Sequence, residues 1–235
     1  PISGGALAGA WGTAAGHAVR TRRAAVCLAL AAPVASLLVD VALFVATPAV
    51  FAYDPFFGFF SGALYDTVVD GRETWVAYRA GSVATLAACF LAARAWDATG
   101  DVRRALRTRA GIVALLCSVA SLAHTALGER LGHRTSADRA RATIGREVAG
   151  ERCGVVVPSS MRPDEAALVL RDCEEQLAAV EAWFEAPRTD ERVRVFVFRD
   201  AAEKRRVMGA ANVLVAKPWR REVYVQAAEI GRAHV

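Results

Sequence analysis

Residues 24–50 read AAVCLALAAPVASLLVDVALFVATPAV, and this run decides the first half of the fold. The hydrocarbon core of a bilayer is about 30 Å thick, so a spanning helix needs roughly 20 apolar residues. The run exceeds that length with Asp40 as its one charged residue. Two further stretches have the same character: residues 80–96, AGSVATLAACFLAARAW, with Arg94 near its end, and residues 110–128, AGIVALLCSVASLAHTALG. The opening stretch, 2–19, is rich in small residues and is read as part of a further span. Its glycines at 4, 5, 9, 12 and 16 are expected to permit close helix packing.

Outward from these runs, the composition falls into two parts. The chain has 235 residues, 54% of them hydrophobic, and the excess lies before Gly128. The remainder is an ordinary charged globular sequence, so two regions are expected: a transmembrane region over 1–130 with three to four spans, and a water-soluble domain. The net charge of +5 is carried by arginines that cluster between the apolar runs. Arg20, Arg22 and Arg23 precede the first run; Arg103, Arg104, Arg107 and Arg109 separate the second from the third. By the positive-inside rule both clusters are cytoplasmic, which places residues 51–78 and everything after Gly128 outside. That distribution, with no zinc-finger, RNP or P-loop pattern, argues against nucleic acid and makes the lipid bilayer the expected partner.

The outer loop carries AYDPFFGFFSGALYD. Phe56, Phe57, Phe59, Phe60 and Tyr65 suit an interfacial aromatic belt, and Pro55, Gly58 and Gly62 interrupt helix. It is either an interfacial re-entry segment or an element over the following domain. Asp40 is costly in an apolar run; it is either a functional intramembrane acid or a polar helix contact, and His124 stands in the same position.

Residues 131–150, including SADRARATIGREVAG (136–150), read as a linker or exposed helix. An α+β domain with a small sheet and packed helices is expected over 151–229. Cys153–Pro158 is a valine-rich strand. Pro163 to about Trp183 is a helix, with Ala166, Leu170, Cys173, Leu177 and Val180 at three- and four-residue spacing. RVRVFVF (192–198) alternates strictly as a strand, 201–208 reads as a short helix, and REVYVQ (221–226) alternates again. Cys27, Cys89 and Cys117 are small apolar residues of the spans. Cys153 and Cys173 fall in the outer domain, where a disulfide can persist, although no spacing rule fixes that pairing.

The stretch VRVFVFRDAAEKRRVMGAANVLVAKPWRREVYVQ (193–226) resembles the N-terminal part of membrane-anchored gluzincin-type zinc metallopeptidases, similar to the peptidase MA-like proteins of bacteria. The features that carry it are RRVMGA (205–210) and AKPWRREVY (216–224). YDPFFGFFSGALYD (53–66) is similar to the extracytoplasmic loop of multispan members. The resemblance implies a bacterial inner-membrane location, a peptide or protein substrate, and zinc in the full-length protein. It also implies that the strand ending near Tyr224 is soon followed by a helix bearing His-Glu-x-x-His. This chain has His17, His124, His133 and His234, and no pair has i, i+4 spacing. No metal ligand or catalytic residue is therefore assigned.

Two readings of 216–226 stand side by side. In one, Lys217-Pro218 is an exposed turn and Trp219 packs on the domain. In the other, the strand edges a peptide groove, with Lys217, Trp219, Arg220, Arg221 and Tyr224 along it. The alternative to a peptidase lineage is a non-enzymatic membrane protein with an outer sensing or binding domain. The chain opens on Pro1 rather than Met, so earlier residues are expected. IGRAHV (230–235) is what ATC GGA AGA GCA CAC GTC encodes, which resembles a sequencing adapter. True coding sequence is accordingly expected to stop near Ala228 or Glu229, leaving a truncated domain.

Overall fold

A computed structural model describes residues 2–61, 72–185, 191–211 and 214–227. Gly62, Tyr65, Asp66 and the terminal segment 228–235 with His234 lie outside them. The described chain is mostly helical, with eight helices and a small mixed sheet, and divides into two compact units.

The first unit contains α1 (Ile2–Ala18), α2 (Arg22–Ala46), the hairpin β1 (Phe51–Asp54) and β2 (Gly58–Ser61), α3 (Arg72–Thr99), the single turn α4 (Val102–Ala105) and α5 (Arg109–Ala126). Among the described residues, three helices are long and apolar enough to cross a membrane: Arg22–Ala46, Thr74–Thr99 and Arg109–Ala126. The first stops short of the expected Val50. Thr47 precedes Pro48, and the proline ring pushes the residue before it out of the helical region. The second is longer than expected, since Arg79 lowers local hydropathy without breaking the helix.

Small residues bring α3 and α5 together. A side chain at Gly81 would overlap the His124 ring, and the Thr85 and Ser121 hydroxyls meet at 2.6 Å. His124 Nε2 lies 2.6 Å from the Ala77 carbonyl oxygen. The expected glycine packing of α1 is corrected. Gly5, Gly9, Gly12 and Gly16 face open space, and α1 is buried instead through Leu7 and Ala15, with Gly4 against the Phe56 backbone. Leu7 and Ala15 lie three and eleven residues after Gly4, which places these three on one stripe that the other four glycines do not share.

The second unit holds residues 46–50 and the chain from Thr135. The stretch expected as a linker or exposed helix forms the helix α6 (Ala137–Ile144), capped by Ser136, and then the edge strand β3 (Gly145–Ala149). Ala140 and Ile144 are buried, an i, i+4 pair too short to stand out in a charged stretch. Then come β4 (Cys153–Pro158), α7 (Pro163–Phe184), β5 (Val193–Phe198), α8 (Ala201–Met208), β6 (Val215–Lys217), a 3₁₀ turn at Pro218–Arg220 and β7 (Glu222–Gln226).

The sheet order is β3-β4-β5-β7-β6. Its centre is parallel, with Cys153 opposite Val193 and Arg194 opposite Glu222, and both outer strands are antiparallel. β4 is buried along its whole length, as its unbroken apolar run requires of a strand covered on both faces. Val155, Val157 and Val197 form the core under α7 with Ala166, and Leu170 and Val169 pack against it. By strand alternation Phe196 and Tyr224 take the other face, where their rings stack at 4.7 Å.

Candidate functional site

The residues singled out at 217–224 fall on the hairpin of β6 and β7. Pro218 starts the 3₁₀ turn with its fixed φ, and Arg221 ends it in the left-handed region, φ 52°. Its N–H donates to the Pro218 carbonyl (3.0 Å), and its own carbonyl accepts from Arg194 N–H (2.8 Å), tying the turn to β5.

The register places Glu222 beside Arg194, and the turn folds Arg220 over it. Arg194 donates to Glu222 Oε1 at 2.7 Å. Arg220 donates twice, Nε to Oε2 at 2.7 Å and a terminal nitrogen to Oε1 at 3.1 Å. The Tyr224 hydroxyl donates to Oε2 at 2.7 Å. Burial pulls the Glu222 carboxyl up, but the bonds from Arg220 and Tyr224 and the charge of both arginines outweigh it, so it lies below the ordinary glutamate range. Arg220 is raised by the same bond, and burial raises Tyr224.

Lys217 is 2% exposed. Its ammonium donates to the carbonyls of Thr47 (2.9 Å) and Ala49 (2.7 Å) in the 46–50 segment and lies 5.6 Å from the Trp219 ring centre. Burial, with Arg220 nearby, lowers it to about 8. Arg220 also donates to the Ala46 carbonyl.

This arrangement corrects the groove reading. β7 is not an edge: it pairs with β5 on one side and β6 on the other, so Tyr224 has no free backbone register for a substrate strand. Lys217 and Tyr224 are buried, Arg220 and Arg221 are half-buried, and Trp219 alone is exposed. The outer position belongs to β6, three residues missed because a strand that short leaves no readable alternation. Each Glu222 oxygen accepts two bonds, which leaves it no free lone pair for a proton or a water. Chemically, the cluster is a lock.

A second fastening joins β4 to α7. Cys153 and Cys173 are disulfide-bonded, with Cα atoms 6.3 Å apart. Beside them Glu174 accepts the backbone N–H groups of Arg152 (2.8 Å) and Cys153 (2.9 Å). Those bonds hold its carboxyl below the usual range despite the opposing pull of desolvation. Arg152 forms an ion pair with Glu181 further along α7.

The first unit holds a polar cluster that the sequence showed only at Asp40 and His124. Asp54 is fully buried. Its Oδ1 accepts from the N–H groups of Phe56 (2.7 Å) and Phe57 (2.6 Å), and its Oδ2 from the Ser36 hydroxyl (2.7 Å). Asp40 is one of the groups that interact with it. Tyr53 and Tyr78 lie 5.2 Å apart, Tyr78 meets His133 edge-on at 5.4 Å, and His133 stacks on His124 at 4.9 Å. Burial, then the neighbouring His124 and Arg134, lower His133 to about 4. The Asp-Pro at 54–55 is a turn signal that could have flagged Asp54. Nothing local distinguishes Tyr78 or His133.

Among the described residues no three of His, Cys, Asp or Glu converge closely enough to hold a metal ion. No family model, curated protein or solved structure matches this chain.

Proposed function

We propose that this chain is an integral membrane protein, and that its α/β unit is the leading part of a zinc-metallopeptidase-like domain held outside the cytoplasm of a bacterial inner membrane. The observation that carries the membrane part is where the apolar side chains point. No residue of α2 is buried, and Leu38, Leu116 and Leu122 stand 64%, 62% and 70% exposed. Exposed surface of that kind along three helices needs lipid to cover it. With the arginine loops inside, α2 leads out, α3 returns and α5 leads out again, leaving the α/β unit outside.

The peptidase part rests on the resemblance over 193–226. The second reading, a binding or sensing domain, is favoured by Glu222, whose saturated oxygens serve stability rather than chemistry. Reading the source gene past Gln226 separates the two. His-Glu-x-x-His in that continuation supports the peptidase reading, and a long continuation without it refutes that reading. The membrane part is tested by expressing the chain and washing membranes with alkaline carbonate; release into the supernatant would refute it.

A further inference from the structure

We infer that the arginine-bearing end of the first unit is a binding surface for anionic phospholipid headgroups, with α4 lying in the membrane interface. This rests on the membrane reading proposed for the chain. α1 ends at Ala18 and α2 begins at Arg22, so Arg20, Arg22 and Arg23 sit where those two helices meet. α3 ends at Thr99 and α5 begins at Arg109, so Arg103, Arg104, Arg107 and Arg109 lie in the second connection. His17 Nδ1 stands 2.9 Å from Asp97 Oδ1, which brings the two connections to the same end.

All seven arginines are exposed, and among the described residues none has a carboxylate partner. The acids nearby are already engaged: Asp97 with His17, and Asp101 accepting the Arg104 backbone N–H at 2.9 Å. Guanidinium groups in such a cluster repel one another unless an anion is shared between them, and their planar forks match phosphate oxygens two at a time.

Two apolar side chains decide which phosphate. Val102 and Leu106 are 56% and 51% exposed, one helical turn apart at α4 and flanked by Arg103, Arg104 and Arg107. Free phosphate or a nucleic acid backbone would leave both in water. A phospholipid covers them with acyl chain while its phosphate meets the arginines.

The test uses the full chain in a neutral detergent, titrated with phosphatidylglycerol or phosphatidylcholine carrying brominated acyl chains. Tryptophan quenching is read with Trp96→Phe as the control, because Trp96 is near this end of α3. Phosphatidylglycerol is expected to bind roughly tenfold or more tightly than phosphatidylcholine, at about fivefold per engaged arginine. Arg103→Gln/Arg104→Gln/Arg107→Gln should erase the difference, whereas the matching lysine variant should retain most of it. Equal binding of the two lipids by the unmodified chain overturns the inference, and needs no variant to fold. Equal competition by glycerol phosphate, or by a short DNA duplex, also overturns it. A failure of the membrane reading looks different: the chain would stay monodisperse without detergent and ignore neutral vesicles as well.

Discussion

Arg220 grips Glu222 from two residues away in its own hairpin, with Nε 2.7 Å from Oε2 and a terminal nitrogen 3.1 Å from Oε1. Such a short loop of contacts needs Arg221 between them in a left-handed conformation, and Arg194 and Tyr224 complete the shell. Glu222→Ala leaves Arg194 and Arg220 without their counter-charge and should lower stability by about 2–4 kcal/mol, toward the lower side because both arginines touch water. Denaturant unfolding of the detergent-solubilised chain checks this. A change within about 0.5 kcal/mol would show that the cluster is not a stabilising lock.

Glu222 also sets an acid limit. Its folded pKa lies below the ordinary 4.5, so its contribution is present above that value and is lost as pH falls through the folded one. Glu222→Gln should flatten the stability–pH profile below about pH 4.5 relative to the parent. Parallel profiles for the two chains would contradict the assignment.

Lys217 works in the opposite range. Its folded value of about 8 is below the ordinary 10.5, so between them the unfolded chain holds a proton that the folded chain does not. Stability should therefore rise with pH across that window, by at most about 3 kcal/mol. Lys217→Met should remove the rise. The check is the difference between the two denaturation midpoints at about pH 7.5 and about pH 10, which should be larger at the lower pH.

Periodicity makes most elements readable and leaves their order in the sheet unreadable. RVRVFVF and REVYVQ alternate, so both strands are visible, but alternation says nothing of neighbours. β7 reads as an edge because β6, with only Val215, Ala216 and Lys217, carries no pattern. The 136–149 stretch, read as a linker or exposed helix, hides its buried face for another reason. Its buried residues, Ala140 and Ile144, are a minority among charges, and only the tertiary environment makes them core. The candidate site goes the same way. Lys217, Arg220 and Tyr224 read as the edge of a groove, yet Glu222, inconspicuous between them, draws Arg220 and Tyr224 inward, while Lys217 turns to the Thr47 and Ala49 carbonyls. Ion pairs across strands depend on register, which a single sequence does not encode locally.

The disulfide closes a separation of 20 residues between β4 and α7. Loop closure of that size stabilises by about 3 kcal/mol through the unfolded chain. Cys153→Ser/Cys173→Ser should lose about that much while Glu174 and Arg152 keep the helix docked. Reductant should reproduce the loss in the parent chain and have no effect on the variant. Insensitivity of the parent to reductant would mean the bond is not formed in the isolated protein.

His133 joins the aromatic contacts of Tyr53 and Tyr78 to His124, and it is neutral there because burial and His124 disfavour its charge. Between about 4 and the ordinary 6.5 the unfolded ring binds a proton and the folded ring does not, so stability falls as pH drops through that window. A charged ring would face His124 and Arg134 without a carboxylate of its own. The hairpin of β1 and β2, which meets this ring through Tyr53, should loosen first. Hydrogen exchange at Tyr53 and Asp54 should accelerate between about pH 6.5 and about pH 4.5 beyond the intrinsic rate. His133→Phe keeps the stack and removes the proton, so it should suppress the acceleration. Equal acceleration in both chains would assign the effect to another group.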